Sequence, residues 1–298
     1  MTHTSAFKTP EGEAAYLGAY DAAMKLWPVS YEEIEIPTRF GMTHVVTSGP
    51  KDAPPLVLLH GYMANLTMWS PNVADFSRDY RVYAIDTMGQ AGRSIPDPDE
   101  SIRDAADLIA WLSETLNGLN LDRIFLVGMS FGGWLALNFA MTAPERVRKL
   151  VLLSPAASFQ PLVRQFGLCV MPMIFFPTRL TVNSLMGWMG IKDTAGDAVT
   201  QCVLELAYLG AKHFRFVPET ARVMPSVFSD NELRALHVPV LLLIGQNEVI
   251  YDAAKALDRA RRLLPNCEGE LVPQSSHEMC SSQCRIVDVR ALDFLSHH

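Results

Sequence analysis

The chain has 298 residues, 49% of them hydrophobic, and carries a formal net charge of −7 at pH 7. That length and apolar content suit one large core, with room for an insertion, and argue against a disordered chain. The acidic balance, with no dense Lys/Arg stripe, argues against nucleic acid as a partner; Arg259, Arg261 and Arg262 read as a solvated helix face.

The chain opens Met1-Thr2-His3-Thr4-Ser5 with no basic region ahead of an apolar segment, so no secretory signal is expected. No window reaches the ~18 uninterrupted apolar residues of a membrane span. Residues 11–26 put Ala14, Ala15, Leu17, Ala22 and Leu26 at helical spacing and stop before Pro28, which predicts an amphipathic helix. Two antiparallel strands are expected next, Tyr31 to Ile36 and Met42 to Thr47. Short continuous apolar runs then recur at Leu56 to Leu59, Val82 to Ile85, Ile124 to Val127, Leu150 to Leu153 and Val240 to Ile244. They alternate with helical segments, the pattern of a parallel sheet covered on both faces. A last run, Glu270 to Val272, precedes a helix over residues 283–296. The gap from Leu153 to Val240 is too long for one crossover. Residues 158–234, rich in Met and Phe, are therefore expected to form a helical cap or lid on a core of residues 1–157 and 235–298. Five cysteines, an odd number in a long chain, fit reduced thiols in a cytoplasm.

One segment carries chemistry. Gly128-Met129-Ser130-Phe131-Gly132 lies between the run Ile124 to Val127 and the helical Trp134 to Ala140. A bare Gly-x-Ser-x-Gly arises by chance in about one chain in ten of this length, so the flanking strand and helix give it its meaning. On a sharp strand-to-helix turn, glycines at 128 and 132 avoid Cβ clashes while Ser130 projects its hydroxyl outward. The free N–H groups of the helix start favour a developing oxyanion there.

A serine needs a base, and ligands of open parallel sheets lie beyond the carboxyl ends of the strands. Those ends carry His60-Gly61-Tyr62, then Asp86 with Gly89, Gly92 and Ser94, then Glu248 with Asp252, and finally His277. His277 reads as the base, and His60 as a hydrogen-bonded loop anchor. Asp86, in a glycine-rich turn, reads as structural. Glu248 and Asp252 compete as the carboxylate behind the histidine, with Asp252 also suited to cap the helix Ala253 to Leu264. His277, Cys280 and Cys284 lie close in sequence but lack a fourth ligand for structural zinc, and the two cysteines read as small residues on the last helix.

In this order of elements the sequence resembles the α/β-hydrolase superfamily, in its lid-bearing carboxylesterase-like branch. The resemblance covers nearly the whole chain. It implies a mostly parallel eight-stranded sheet with helices on both faces and a helical cap insertion. It also implies Ser130 as nucleophile, His277 as general base and acid, Glu248 as the orienting carboxylate, and the Tyr62 and Phe131 N–H groups as the oxyanion hole. The implied activity is hydrolysis of carboxylic esters, without metal or cofactor, on short to medium chain or small apolar substrates. Carbon–carbon hydrolysis of ring-cleavage diketones, or perhydrolysis, would use the same triad. A basic residue in the insertion, such as Arg164, Arg179, Lys212 or Arg215, would favour the diketone. A non-catalytic ligand receptor is the remaining reading, and the occupied triad positions count against it.

Overall fold

The computed structural model describes residues 6–191, 197–215 and 223–297. Residues 1–5, where no signal was expected, and residues 192–196 and 216–222 of the expected insertion lie outside the described residues. The first half of the chain forms α1 (Pro10–Met24), β1 (Tyr31–Thr38), β2 (Gly41–Ser48), β3 (Pro55–Leu59), α2 (Val73–Phe76), β4 (Arg81–Ile85), β5 (Ile95–Pro96), α3 (Ala105–Gly118) and β6 (Ile124–Met129). The second half forms α4 (Phe131–Thr142), β7 (Val147–Leu153), α5 (Arg164–Phe175), α6 (Arg179–Trp188), α7 (Ala198–His213), α8 (Asp230–Ala235), β8 (Val240–Gly245), α9 (Ala253–Leu263), β9 (Cys267–Val272) and α10 (Cys284–Ser296).

All eight expected strands are present, in the order β1-β2-β4-β3-β6-β7-β8-β9. The β1–β2 and β2–β4 pairs are antiparallel and the rest of that path is parallel. A ninth strand, β5, is a two-residue pairing with β2, too short to read as a run. β9 begins at Cys267 rather than Glu270 because an edge strand carrying Glu268 and Gly269 shows no continuous apolar run. Burial on both faces explains the legible runs. Val57 and Leu59 pack with Trp111 of α3 and Phe139 of α4, while Leu56 and Leu58 pack with Tyr16 of α1 and Val287 of α10. β3 lies between β4 and β6, so the strand order reverses there and a crevice opens beyond the ends of β3 and β6.

Helix α1 starts on capping chemistry: Thr9 accepts the Gly12 N–H at 3.1 Å and Pro10 sits in the first turn. Its buried face is another matter. Ala14, Ala15 and Ala22 are exposed, and Tyr16, Tyr20, Ala23 and Met24 are buried. The tyrosines bury large rings because their hydroxyls find acceptors, the Ala91 carbonyl at 2.8 Å and Asp86 Oδ2 at 2.9 Å.

Although α5, α6 and α7 intervene in sequence, β7 and β8 pair directly, Leu150 to Leu153 opposite Val240 to Leu243. The inserted helices share an apolar cluster of their own around Met173, Leu185, Met186 and Leu204. Arg259, expected on a solvated face, instead donates to the Phe159 carbonyl at 3.0 Å and to the Phe228 carbonyl and Asp230 at 2.7 Å. It thereby fastens both ends of the inserted segment to α9, while Arg261 donates to the Gly269 carbonyl. No described helix is long and apolar enough to cross a membrane.

On α10, Asp288 is 2% exposed and accepts from Asn72 Nδ2 at 2.8 Å. Burial pushes its carboxyl up to about 7; the Asn72 bond opposes the shift and Asp75 adds to it. Between the ordinary carboxyl range and about 7, the folded chain holds a proton that the unfolded chain has released, so this group lowers stability as pH rises through that window. Asp288→Asn, which keeps the acceptor for Asn72, is expected to stabilise the fold at pH 8 by on the order of 2–3 kcal/mol, with a smaller gain at pH 5. Urea titrations at the two pH values measure this, and equal gains would contradict the buried-proton account.

Candidate active site

Ser130 links the end of β6 to the start of α4 with φ 53° and ψ −114°, a conformation that costs a non-glycine residue about 1–3 kcal/mol. Backbone bonds hold it there. Its N–H donates to the Leu153 carbonyl at 2.9 Å, and its carbonyl accepts from the Trp134 and Ala156 N–H groups at 3.0 Å each. The flanking glycines are sterically required: a Cβ on Gly128 would stand 2.3 Å from the Gly132 carbonyl oxygen, and one on Gly132 only 2.2 Å from that of Leu59.

The loops after β8 and β9 meet beside this turn. Gly245 permits the approach, since a Cβ there would lie 2.0 Å from the Ser276 carbonyl oxygen. The Asn247 N–H donates to the Ser275 carbonyl at 2.8 Å, and Ser276 Oγ donates to the Asn247 carbonyl at 3.1 Å. His277 is thus carried between Ser130 and Glu248, with Nε2 2.9 Å from Ser130 Oγ and Nδ1 2.8 Å from Glu248 Oε2. A carboxylate only accepts, so Nδ1 carries the proton and Nε2 is left to accept from the serine.

Glu248 Oε1 accepts from the Val249 and Ile250 N–H groups at 2.8 and 3.0 Å. Burial works against its charge. His277, through its charge and hydrogen bond, together with the Ile250 N–H and the Ser154 hydroxyl, outweighs that and holds the carboxyl below its ordinary value. Asp252 points elsewhere: its side chain caps α9, accepting the Lys255 N–H at 3.0 Å.

Both nitrogens of His60 bond to backbone, Nδ1 to the Gly61 carbonyl at 2.8 Å and Nε2 to the Thr87 N–H at 2.9 Å. Burial holds this ring's pKa below the usual range, against the pull of Asp86 and Gly61, so it anchors the loop as a neutral group. Asp86 is a structural hub: Oδ2 accepts from Tyr20 and the Arg93 N–H, and Oδ1 from the Leu66 N–H. The loop it supports runs beside the serine, where a Cβ on Gly61 would stand 3.5 Å from Ser130 Cβ. Tyr62 follows in that loop and Phe131 opens α4, their rings 5.8 Å apart. As the first residue of a helix, Phe131 has an N–H with no acceptor inside that helix.

The reading of Cys280 and Cys284 as neighbours on one helix is corrected. Cys280 lies in the turn ahead of α10, which begins at Cys284. Both ring nitrogens of His277 are engaged in the relay, and among the described residues no group of three His, Cys, Asp or Glu side chains is positioned to hold a metal ion.

A cavity of about 300 Å³ opens on Ser130 and His277. Its walls include Met63 and Met68 from the loop after β3, and Ile174, Met186 and Val203 from the inserted helices. Two residues of this region went unread in the sequence. Ser154, at φ 41° just past the end of β7, has a hydroxyl that favours the charged form of Glu248. Glu278, next to His277, lines the cavity.

Residues 54–173 match the α/β-hydrolase fold family model. The chain is 36% identical to the uncharacterized carboxylesterase nap of Bacillus subtilis (strain 168), covering 94% of this chain and 92% of that protein. It is 34% identical to carboxylesterase YbfK of the same strain, covering 97% and 96%. The crystal structure of the Bacillus subtilis naproxen esterase superposes with a TM-score of 0.88 at 34% identity, covering 97% of this chain and all of that one. With the fold, the order of strand ends and full-length relatives in agreement, the chain belongs to the α/β-hydrolase family and is a carboxylesterase-like hydrolase of carboxylic esters.

Proposed function

We propose that Ser130, His277 and Glu248 hydrolyse esters through an acyl-enzyme. As Ser130 Oγ bonds to the ester carbonyl carbon, its proton passes to His277 Nε2, and Glu248 stabilises the imidazolium. The carbonyl oxygen takes up the negative charge against the Tyr62 and Phe131 N–H groups. When the tetrahedral intermediate collapses, the alkoxide leaves with the proton from His277. Water then attacks the acyl-enzyme, giving its proton to His277, and the acid leaves as Ser130 recovers its hydrogen. One observation carries this reading: the unbroken relay from Ser130 Oγ through both His277 nitrogens to Glu248, with bonds of 2.9 and 2.8 Å.

Residues 158–234 serve as a cap on a core of residues 1–157 and 235–298. The inserted helices wall the cavity, which supports that division. The walls are mostly apolar and include flexible methionines, so the fitting substrates are short to medium chain or small apolar esters. Carbon–carbon hydrolysis of a carboxylate-bearing diketone is disfavoured by the lining. Arg164, Arg179, Lys212 and Arg215 are all exposed, and none of them lines the cavity. Arg179 pairs with Glu205 instead.

A panel of p-nitrophenyl esters of increasing acyl length, run beside a ring-cleavage diketone, tests the assignment. The expected kcat/KM is highest for a short or medium ester and at least about 100-fold lower for the diketone. Comparable diketone turnover would overturn the ester reading.

A further inference from the structure

We propose that Glu278 sets the charge preference of the cavity, turning away esters that bear a second, free carboxylate and accepting neutral and cationic ones. This rests on the reading of Ser130 as nucleophile and of the cavity beside it as the substrate pocket.

Among the described residues that line the cavity, Glu278 is the one Asp, Glu, Lys or Arg. It is 9% exposed and fixed in place. Oε1 accepts the Ser281 N–H and Oε2 the Ser281 hydroxyl, both at 2.8 Å, and Oε2 also accepts the Ser282 N–H at 3.4 Å, so the carboxylate cannot swing into bulk water without losing three bonds. Its own N–H donates to the Met189 carbonyl at 3.1 Å, tying this wall to the capping residue just past α6. The charge therefore stays one residue from His277, in a space whose other walls screen it poorly. A substrate carboxylate entering this cavity meets a like charge and, among the described lining residues, no compensating Lys or Arg, whereas an ammonium meets a partner.

An uncharged apolar pocket would also disfavour ions, but it would penalise both signs alike. The diagnostic is the asymmetry between cation and anion. Three p-nitrophenyl esters of matched length differ only at the far end of the acyl chain: 6-aminohexanoate, hexanoate and the half-ester of adipate. For the wild-type protein, kcat/KM for the cationic ester is expected to exceed that for the anionic one by about tenfold or more. In Glu278→Gln, which keeps an acceptor for Ser281, that ratio is expected to fall at least about fivefold. A wild-type ratio near one, or a ratio unchanged in the variant, would overturn the proposal. The wild-type ratio decides the matter if the variant does not fold. Loss of hexanoate turnover in Ser130→Ala keeps the test separate: if that turnover survives, the nucleophile reading fails, whatever the ratio.

Discussion

Ser130→Ala is expected to lower kcat/KM for p-nitrophenyl esters by about 10⁴-fold or more. Without the hydroxyl no acyl-enzyme forms, and positioned water beside His277 is a poor substitute. The fold should survive. Alanine keeps the Cβ that the turn already tolerates, and the bonds from 130 to Leu153, Trp134 and Ala156 are all backbone. Only the bond to His277 Nε2 is lost. A melting temperature within a few degrees of wild type, together with absent turnover, is the expected result. Substantial turnover in a folded Ser130→Ala protein would remove the nucleophile assignment.

Exchanging the two acidic side chains after β8 gives the second large effect. Glu248→Gln leaves the loop geometry but replaces an acceptor with an amide that can present N–H to His277 Nδ1. The ring then favours the wrong tautomer and its cation loses support, so kcat is expected to drop by about 10³–10⁴-fold. Asp252→Asn should change kcat less than about twofold, because asparagine caps α9 nearly as well and the side chain points away from His277. Paired kinetics of the two variants measure the contrast. A larger loss in the Asp252 variant would reverse the assignment of the acid.

The strands were legible because burial on both faces writes itself as an unbroken apolar run, as in Val240 to Ile244. β9 was legible only at its apolar end, where the edge strand leaves Glu268 and Gly269 behind. For α1 the periodicity pointed to alanines, while the buried face is built on Tyr16 and Tyr20, whose hydroxyls find acceptors from residues far along the chain. The same limit applies at the site. Strand ends named Ser130, Glu248 and His277, but the support from Ser154 depends on β7 and β8 lying side by side, which no local pattern encodes. Arg259 reads as one charge among three on a helix until Phe159 and Phe228, far apart in sequence, are brought to it.

Gly128, Gly132 and Gly245 put backbone against backbone, whereas much of the cavity wall is side chains such as Met186 and Val203. Mutational tolerance should divide along that line. Libraries at the wall can be searched for altered substrate range without disturbing the alignment of serine and histidine. Any residue larger than glycine at the three contact points displaces the main chain itself, so a selection for new esters should return diversity at the former and none at the latter.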